Sequence, residues 1–202
     1  MTNKDYRTEQ QRYYSFAKHL HPVGIAHHMR PKSIERLMRA IGHRWIQRAK
    51  VLEIGCGQGY LVNHFLYTGA RHVIGTEIDE QILTTIPLAA YQIYQNEDKQ
   101  MEFHIEDFEN IGRSEYRTKY EDVQIVSMFI GNKRLVRKLF YFFYIFNNLH
   151  TIAFMVPTRD FSDTRDVIMQ YIRLGNWKLE EFTLQLSGSG EQRRAMVIKK
   201  HP

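Results

Sequence analysis

Residues 51–60, VLEIGCGQGY, set an apolar run directly against three glycines at alternate positions, Gly55, Gly57 and Gly59, and then against a segment with helical spacing. This arrangement predicts a strand over 51–54, a sharp turn and a helix over 60–67 closed by Gly69. Successive glycines at a strand-to-helix turn provide backbone conformations that other residues adopt at a cost. In open α/β sheets that turn lies beyond the carboxyl end of a strand, where ligands bind.

The rest of the chain continues the alternation. Ile34, Leu37, Met38 and Ile41 fall at i, i+3, i+4, i+7 between Pro31 and Gly42, which predicts an amphipathic helix ahead of the sheet. Further strands are expected at 72–77, 101–105, 123–129 and 151–156, and helices at 80–95, 133–147 and 164–174. Pro87 should kink or divide the helix at 80–95. The stretch 139–146, LFYFFYIF, is too short to span a bilayer and reads as a buried helix. Trp177–Leu186 and Arg193–Lys199 then follow one another across Ser187-Gly188-Ser189-Gly190 with no helix between, which reads as a β-hairpin. The expected fold is α/β: a doubly wound, seven-stranded, mostly parallel sheet ending in an antiparallel hairpin.

At 202 residues the chain has length for one sizeable domain. Its single cysteine, Cys56, excludes an internal disulfide and a thiolate zinc cluster. Met1 to Lys18 is polar and charged, unlike a secretory signal, which assigns the chain to the cell interior, cytoplasm or nucleus. The net charge of +6 is unevenly placed: residues 1–50 carry eleven Lys/Arg against three Asp/Glu. That segment could face a polyanion such as nucleic acid, nucleosome or an acidic membrane, or could be a solvated helical face. Residues 1–32 read as a basic helical or irregular arm ahead of a domain over 33–202.

Three constellations carry chemistry. A dinucleotide fingerprint, G-x-G-x-x-G, would need glycine at position 60, where Tyr60 stands; the spacing is G-x-G-x-G, preceded by Glu53. A negative residue before the loop suits a ligand carrying an ammonium and a sulfonium, and suits a pyrophosphate poorly. Glu77, twenty positions after Gly57 in HVIGTEID, can accept from two ribose hydroxyls, or can be a solvated strand end. Asp107, preceded by Glu106 and followed by Phe108, can accept from an adenine amino group, or can cap a helix.

VLEIGCGQGY, GTEID and FHIEDF resemble the glycine loop, ribose acid and adenine acid of the class I S-adenosylmethionine-dependent methyltransferases, in order and spacing, over about residues 33–202. The resemblance implies S-adenosyl-L-methionine as cofactor. It implies that Glu53 and the backbone of Gly55, Gly57 and Gly59 hold the methionine end, Glu77 the ribose, and Asp107 with Phe108 the adenine, with Cys56, Gln58, Tyr60, Ile78, Glu106 and Met128 also among the cofactor-binding residues.

The acceptor is less constrained. Cytosine C5 chemistry needs a separate cysteine nucleophile, and Cys56 lies inside the loop. Neither the Pro-Pro motif of amino-methylating families nor the aspartate of the ribose 2′-O-methyltransferase tetrad follows Ser127-Met128-Phe129. RPKSIERLM, GTEID and IVSMFIG resemble lysine methyltransferases of the disruptor-of-telomeric-silencing type, which implies a channel walled by Phe129 with Tyr13 or Tyr14 and a protein lysine amine as acceptor. An RNA or DNA acceptor, or a non-catalytic cofactor-binding partner domain, stays open. His19, His21, His27 and His28 lack carboxylate or cysteine company, so no metal is expected; His28 is a candidate general base.

Overall fold

The computed structural model describes residues 5–17, 29–95, 97–107, 110, 118–129, 133–186 and 191–200. Helix α1 (Tyr6–Phe16) is capped by Asp5, whose carboxylate accepts from the amides of Arg7 and Thr8. Helix α2 (Pro31–Ile41) starts on its proline and stops at Gly42, as its periodicity predicts, and a short α3 (His43–Ile46) follows. Strand β1 (Lys50–Ile54), helix α4 (Tyr60–Thr68) and strand β2 (His72–Glu77) come next.

Pro87 divides the expected helix at 80–95 into α5 (Glu80–Thr84), a 3-10 turn (Leu88–Tyr91) and α6 (Gln92–Gln95). A proline offers no amide to the turn before it, and its ring collides with the carbonyl four residues back. The chain continues through β3 (Gln100–Ile105), β4 (Ile125–Met128), α7 (Lys133–Ile145), β5 (Thr151–Pro157), α8 (Phe161–Leu174), β6 (Trp177–Gln185) and β7 (Gln192–Lys200).

The seven strands form one sheet in the order β3-β2-β1-β4-β5-β7-β6. The first five are parallel; β7 is antiparallel to both β5 and β6 and lies between them. The residues joining the hairpin, 187–190, lie outside the described residues. Strand order reverses between β1 and β4, so the glycine loop after β1 opens at the switch point of the sheet.

Alternate residues of the strands feed two cores. Val51, Val73, Ile125 and Val197 pack with α1, α2 and α4 on one face; Leu52, Ile74, Val126 and Ile198 pack with Leu139, Phe142 and Phe146 of α7 and Ile168 of α8 on the other. The alternation that buries Val51 puts Glu53 on the face of α1 and α4. The terminal hairpin is tied to α2: Ser33 Oγ accepts from the Gln185 amide at 2.9 Å, and Lys199 Nζ donates to the Ala40 carbonyl at 2.6 Å.

The expectation of a wholly buried helix at 139–146 needs correction. Leu139, Phe142 and Phe146 are buried, but Tyr141 and Tyr144 are 67% and 77% exposed. Phenol rings tolerate a wet face that phenylalanine does not, so this run is amphipathic despite its composition. No helix among the described residues is long and apolar enough to cross a membrane.

Candidate functional site

The loop between β1 and α4 turns through three left-handed glycines, with φ of 65° at Gly55, 54° at Gly57 and 80° at Gly59. The glycines at 57 and 59 differ in what surrounds them. A Cβ at Gly57 would meet nothing within 4 Å, so this part of the loop faces open space. A Cβ at Gly59 would lie 2.4 Å from the Tyr91 hydroxyl and 3.2 Å from the Phe103 ring. Gly59 is therefore required by packing as well as by φ.

Glu53 is fully buried beneath this loop, and its Oε2 has no hydrogen-bond partner among the described residues. Burial pushes its carboxyl up to about 8, with Ser127, its register partner on β4, opposing the shift. A buried carboxyl with an oxygen in hand is costly in isolation and well suited to a cationic ligand group.

Glu77 ends β2 and braces the loop. Its Oε2 accepts from the Gly57 amide at 2.9 Å, and its Oε1 accepts from the Ile78 amide at 2.9 Å and the Asp79 amide at 3.4 Å. A carboxylate has about four acceptor positions, so these bonds leave it capacity toward solvent. Ile78, the residue after β2, and Ile105, the register partner of Glu77 at the end of β3, are 64% and 55% exposed and offer an apolar margin beside it.

The other expected residues fall into distinct environments. Glu106 is engaged by Lys119 Nζ and the Tyr120 hydroxyl, so its side chain is held within the protein. Asp107 is half-buried at the end of β3, and its carbonyl accepts from the Asn110 amide at 3.0 Å. Cys56 is buried, which raises its thiol pKa further above the ordinary value together with Glu53 and Glu77. It is a small packed side chain whose sulfur borders Gly75. Gln58 is buried and donates from Nε2 to the Thr85 hydroxyl at 2.7 Å. The Met128 side chain enters the α7 core, so only its backbone is left to face a ligand. Phe108 and His28, with His19, His21 and His27, lie outside the described residues. Among the described residues no group of three His, Cys, Asp or Glu is placed to hold a metal ion.

The aromatic residues offered as channel walls separate. Tyr13 is wholly buried and donates to the Gln58 carbonyl at 2.6 Å, beneath the glycine loop. Tyr14 stacks on Tyr60 with 5.9 Å between centroids, and Phe129 packs half-buried against the same core. Tyr60, in turn, donates to the Met29 carbonyl at 3.0 Å.

Several participants carried no sequence signal. Tyr91 and Phe103 flank the loop at Gly59, and Glu9, Arg12, Asn63 and Tyr94 form a hydrogen-bonded network from segments up to 85 positions apart in the chain. Arg12 pairs with Glu9 at 2.6 Å and donates to the Ala90 carbonyl at 2.7 Å. Burial pushes the Glu9 carboxyl up, but bonds from Arg12, Tyr94 and Asn63 outweigh it and hold the group below its ordinary value. Part of the N-terminal basic excess is thus paired internally, Arg39 with Glu35 and Lys50 with Asp122 included.

No family model and no curated protein sequence matches the chain. Solved structures do. An O-methyltransferase from Bacillus cereus, in complex with S-adenosylhomocysteine, matches with a TM-score of 0.66 at 13% identity, over 99% of this chain and 93% of that one. A putative RNA methyltransferase from Pyrococcus horikoshii matches at 0.58 and 15%, over 85% of each chain. A putative tRNA (m1A22) methyltransferase from Streptococcus pneumoniae, in complex with S-adenosyl-L-methionine, matches at 0.56 and 14%, over 82% of this chain and 72% of that one.

The residues present fit such a cofactor. Glu53 offers an orphaned buried oxygen to an ammonium, Gly57 an open backbone, Glu77 acceptor capacity to a ribose, and Ile78 with Ile105 an apolar margin to a base. With its seven strands in this order and its glycine loop at the switch point, the chain has the fold of the class I S-adenosylmethionine-dependent methyltransferases.

Proposed function

We propose that this protein is a metal-independent S-adenosylmethionine-dependent methyltransferase whose acceptor is nucleic acid, RNA in the first instance. The observation that carries the cofactor reading is Glu53, a fully buried carboxyl with one oxygen unpartnered under a glycine loop. In this reading Glu53 and the loop backbone hold the methionine end, Glu77 the ribose hydroxyls, and Asp107, Ile78 and Ile105 the adenine. The cofactor supplies a sulfonium methyl group open to in-line displacement. The chain's part is to orient that group and exclude water, which needs few reacting side chains. Phe129, Tyr14 and His28 stay the candidate residues for the acceptor side from the sequence, and none is assigned a chemical step.

Nucleic acid is favoured over a protein lysine for two reasons. The aromatic channel expected for lysine loses Tyr13 to the loop and has Tyr14 stacked on Tyr60. Between Asp122 and Asp160 the chain has no acidic residue, and Lys133, Arg134, Arg137 and Lys138 precede the exposed Tyr141 and Tyr144 on α7. Basic residues followed by exposed aromatic rings suit phosphates and unstacked bases. Two of the structural neighbours are described as putative RNA or tRNA methyltransferases, which supports the same choice.

Two measurements test the proposal. Calorimetry with S-adenosylhomocysteine should show saturable binding; none at millimolar ligand would remove the cofactor reading and the enzyme with it. Incubation with methyl-labelled cofactor and cell extract should give label that survives protease and is lost to nuclease. The reverse pattern would restore the protein-lysine acceptor.

A further inference from the structure

The loop carbonyls at 58 and 59 are each held by a buried phenol from a distant segment. Tyr13 of α1 donates to the Gln58 carbonyl at 2.6 Å, and Tyr91 of the 3-10 turn donates to the Gly59 carbonyl at 2.7 Å. A peptide group is planar and trans, so fixing a carbonyl direction also fixes the amide of the next residue on the opposite side. Tyr91 thereby orients the amide of Tyr60, in the first turn of α4, where amides have no partner within the helix. Tyr13 orients the peptide into Gly59, whose amide donates to the Cys56 carbonyl at 2.9 Å and closes the turn. Without these pegs, a loop with three left-handed glycines has many conformations of similar energy.

Tyr13 is itself held in register. On the same helix, Glu9 one turn back and the adjacent Arg12 form a partly buried ion pair that also binds Asn63 of α4, the Tyr94 hydroxyl and the Ala90 carbonyl. The ring of Tyr13 packs edge-on against Tyr60 at 5.5 Å. These contacts together place one hydroxyl under one loop carbonyl.

We propose that Tyr13 is a positioning residue for the cofactor loop, and that α1, 45 positions upstream of Gln58, is a built-in part of the cofactor site. The inference rests on the cofactor reading above and goes beyond it, since nothing in the glycine motif calls for an upstream helix. Tyr13 acts through the Gln58–Gly59 peptide.

Tyr6 supplies a matched control. It lies on the same helix, is buried, and shares a hydrogen bond of 3.2 Å with the Thr68 hydroxyl at the far end of α4, away from the loop. Tyr13→Phe and Tyr6→Phe each delete one buried hydroxyl of α1, and both should lower the melting temperature of the ligand-free protein by similar amounts. Tyr13→Phe should weaken S-adenosylhomocysteine binding about tenfold, the scale of one lost buried hydrogen bond, whereas Tyr6→Phe should stay within about twofold of wild type. Amide hydrogen exchange over residues 57–60 should accelerate in Tyr13→Phe and not in Tyr6→Phe.

Affinity in Tyr13→Phe within twofold of wild type would overturn the proposal. Equal losses of affinity in both variants would do so too, since they would make α1 a structural prop only. If Tyr13→Phe does not fold, Arg12→Lys loosens the same helix at its ion pair; unchanged affinity there would count against the inference. Failure of the wild-type chain to bind would remove the cofactor reading itself, a result distinct from all of these.

Discussion

Glu53 shows how one side chain links stability to binding. Its ordinary carboxyl value is 4.5 and its value in the fold is about 8. Between these, the unfolded chain is ionised here while the folded protein keeps its proton, so the contribution is fully present below 4.5 and is lost as pH rises toward 8. A cofactor ammonium requires the carboxylate, so binding below pH 8 must release a proton. Affinity for S-adenosylhomocysteine should climb between pH 6 and 8, approaching about tenfold per unit. Calorimetry in two buffers of different ionisation heat reads that proton directly. Glu53→Gln should bind more weakly, lose the pH dependence, and raise the melting temperature of the ligand-free protein at pH 8. A wild-type affinity flat over this range would mean that Glu53 does not meet the ammonium.

At the scale of elements, the loop is shaped by what packs behind it. Gly59→Ala would force a Cβ into the Tyr91 hydroxyl at φ of 80°, and should cost about 2–4 kcal/mol through backbone strain and the displaced hydrogen bond. Chemical denaturation would measure it. Adding Tyr91→Phe should recover part of that loss, because the contacted oxygen is gone; full additivity of the two changes would argue against this contact. The turn at 51–60, the proline break at 87 and the stops at Gly42 and Gly69 were legible because each rests on a local backbone rule. Tyr91 as a loop peg was not, because its partner lies 32 residues away and tyrosine spacing alone carries no such message.

Across the whole molecule, the basic sequence over 133–138 together with the exposed Tyr141 and Tyr144 of α7 is the feature that separates the acceptor readings. Tyr141→Ala and Tyr144→Ala should each weaken binding of single-stranded RNA by about 1–3 kcal/mol if a base stacks there, and leave cofactor affinity unchanged. Fluorescence anisotropy with a labelled oligonucleotide at several salt concentrations checks this; RNA affinity equal to wild type in the double variant would place the RNA elsewhere. Sequence by itself determined the sheet, since strands and helices alternate with periods that backbone geometry imposes, and it marked the loop at 51–60, since only glycine turns there cheaply. It also located Glu77, because a strand end twenty residues on is a fixed place in this topology. Tertiary structure decided what packing between distant segments controls: that Glu53 is sealed with an oxygen unpartnered, that Glu106 is held by Lys119 and Tyr120, and that Tyr141 and Tyr144 stand in solvent. It also placed Tyr13 beneath the glycine loop, because the Glu9–Arg12 pair fixes α1 there by contacts between residues up to 85 positions apart.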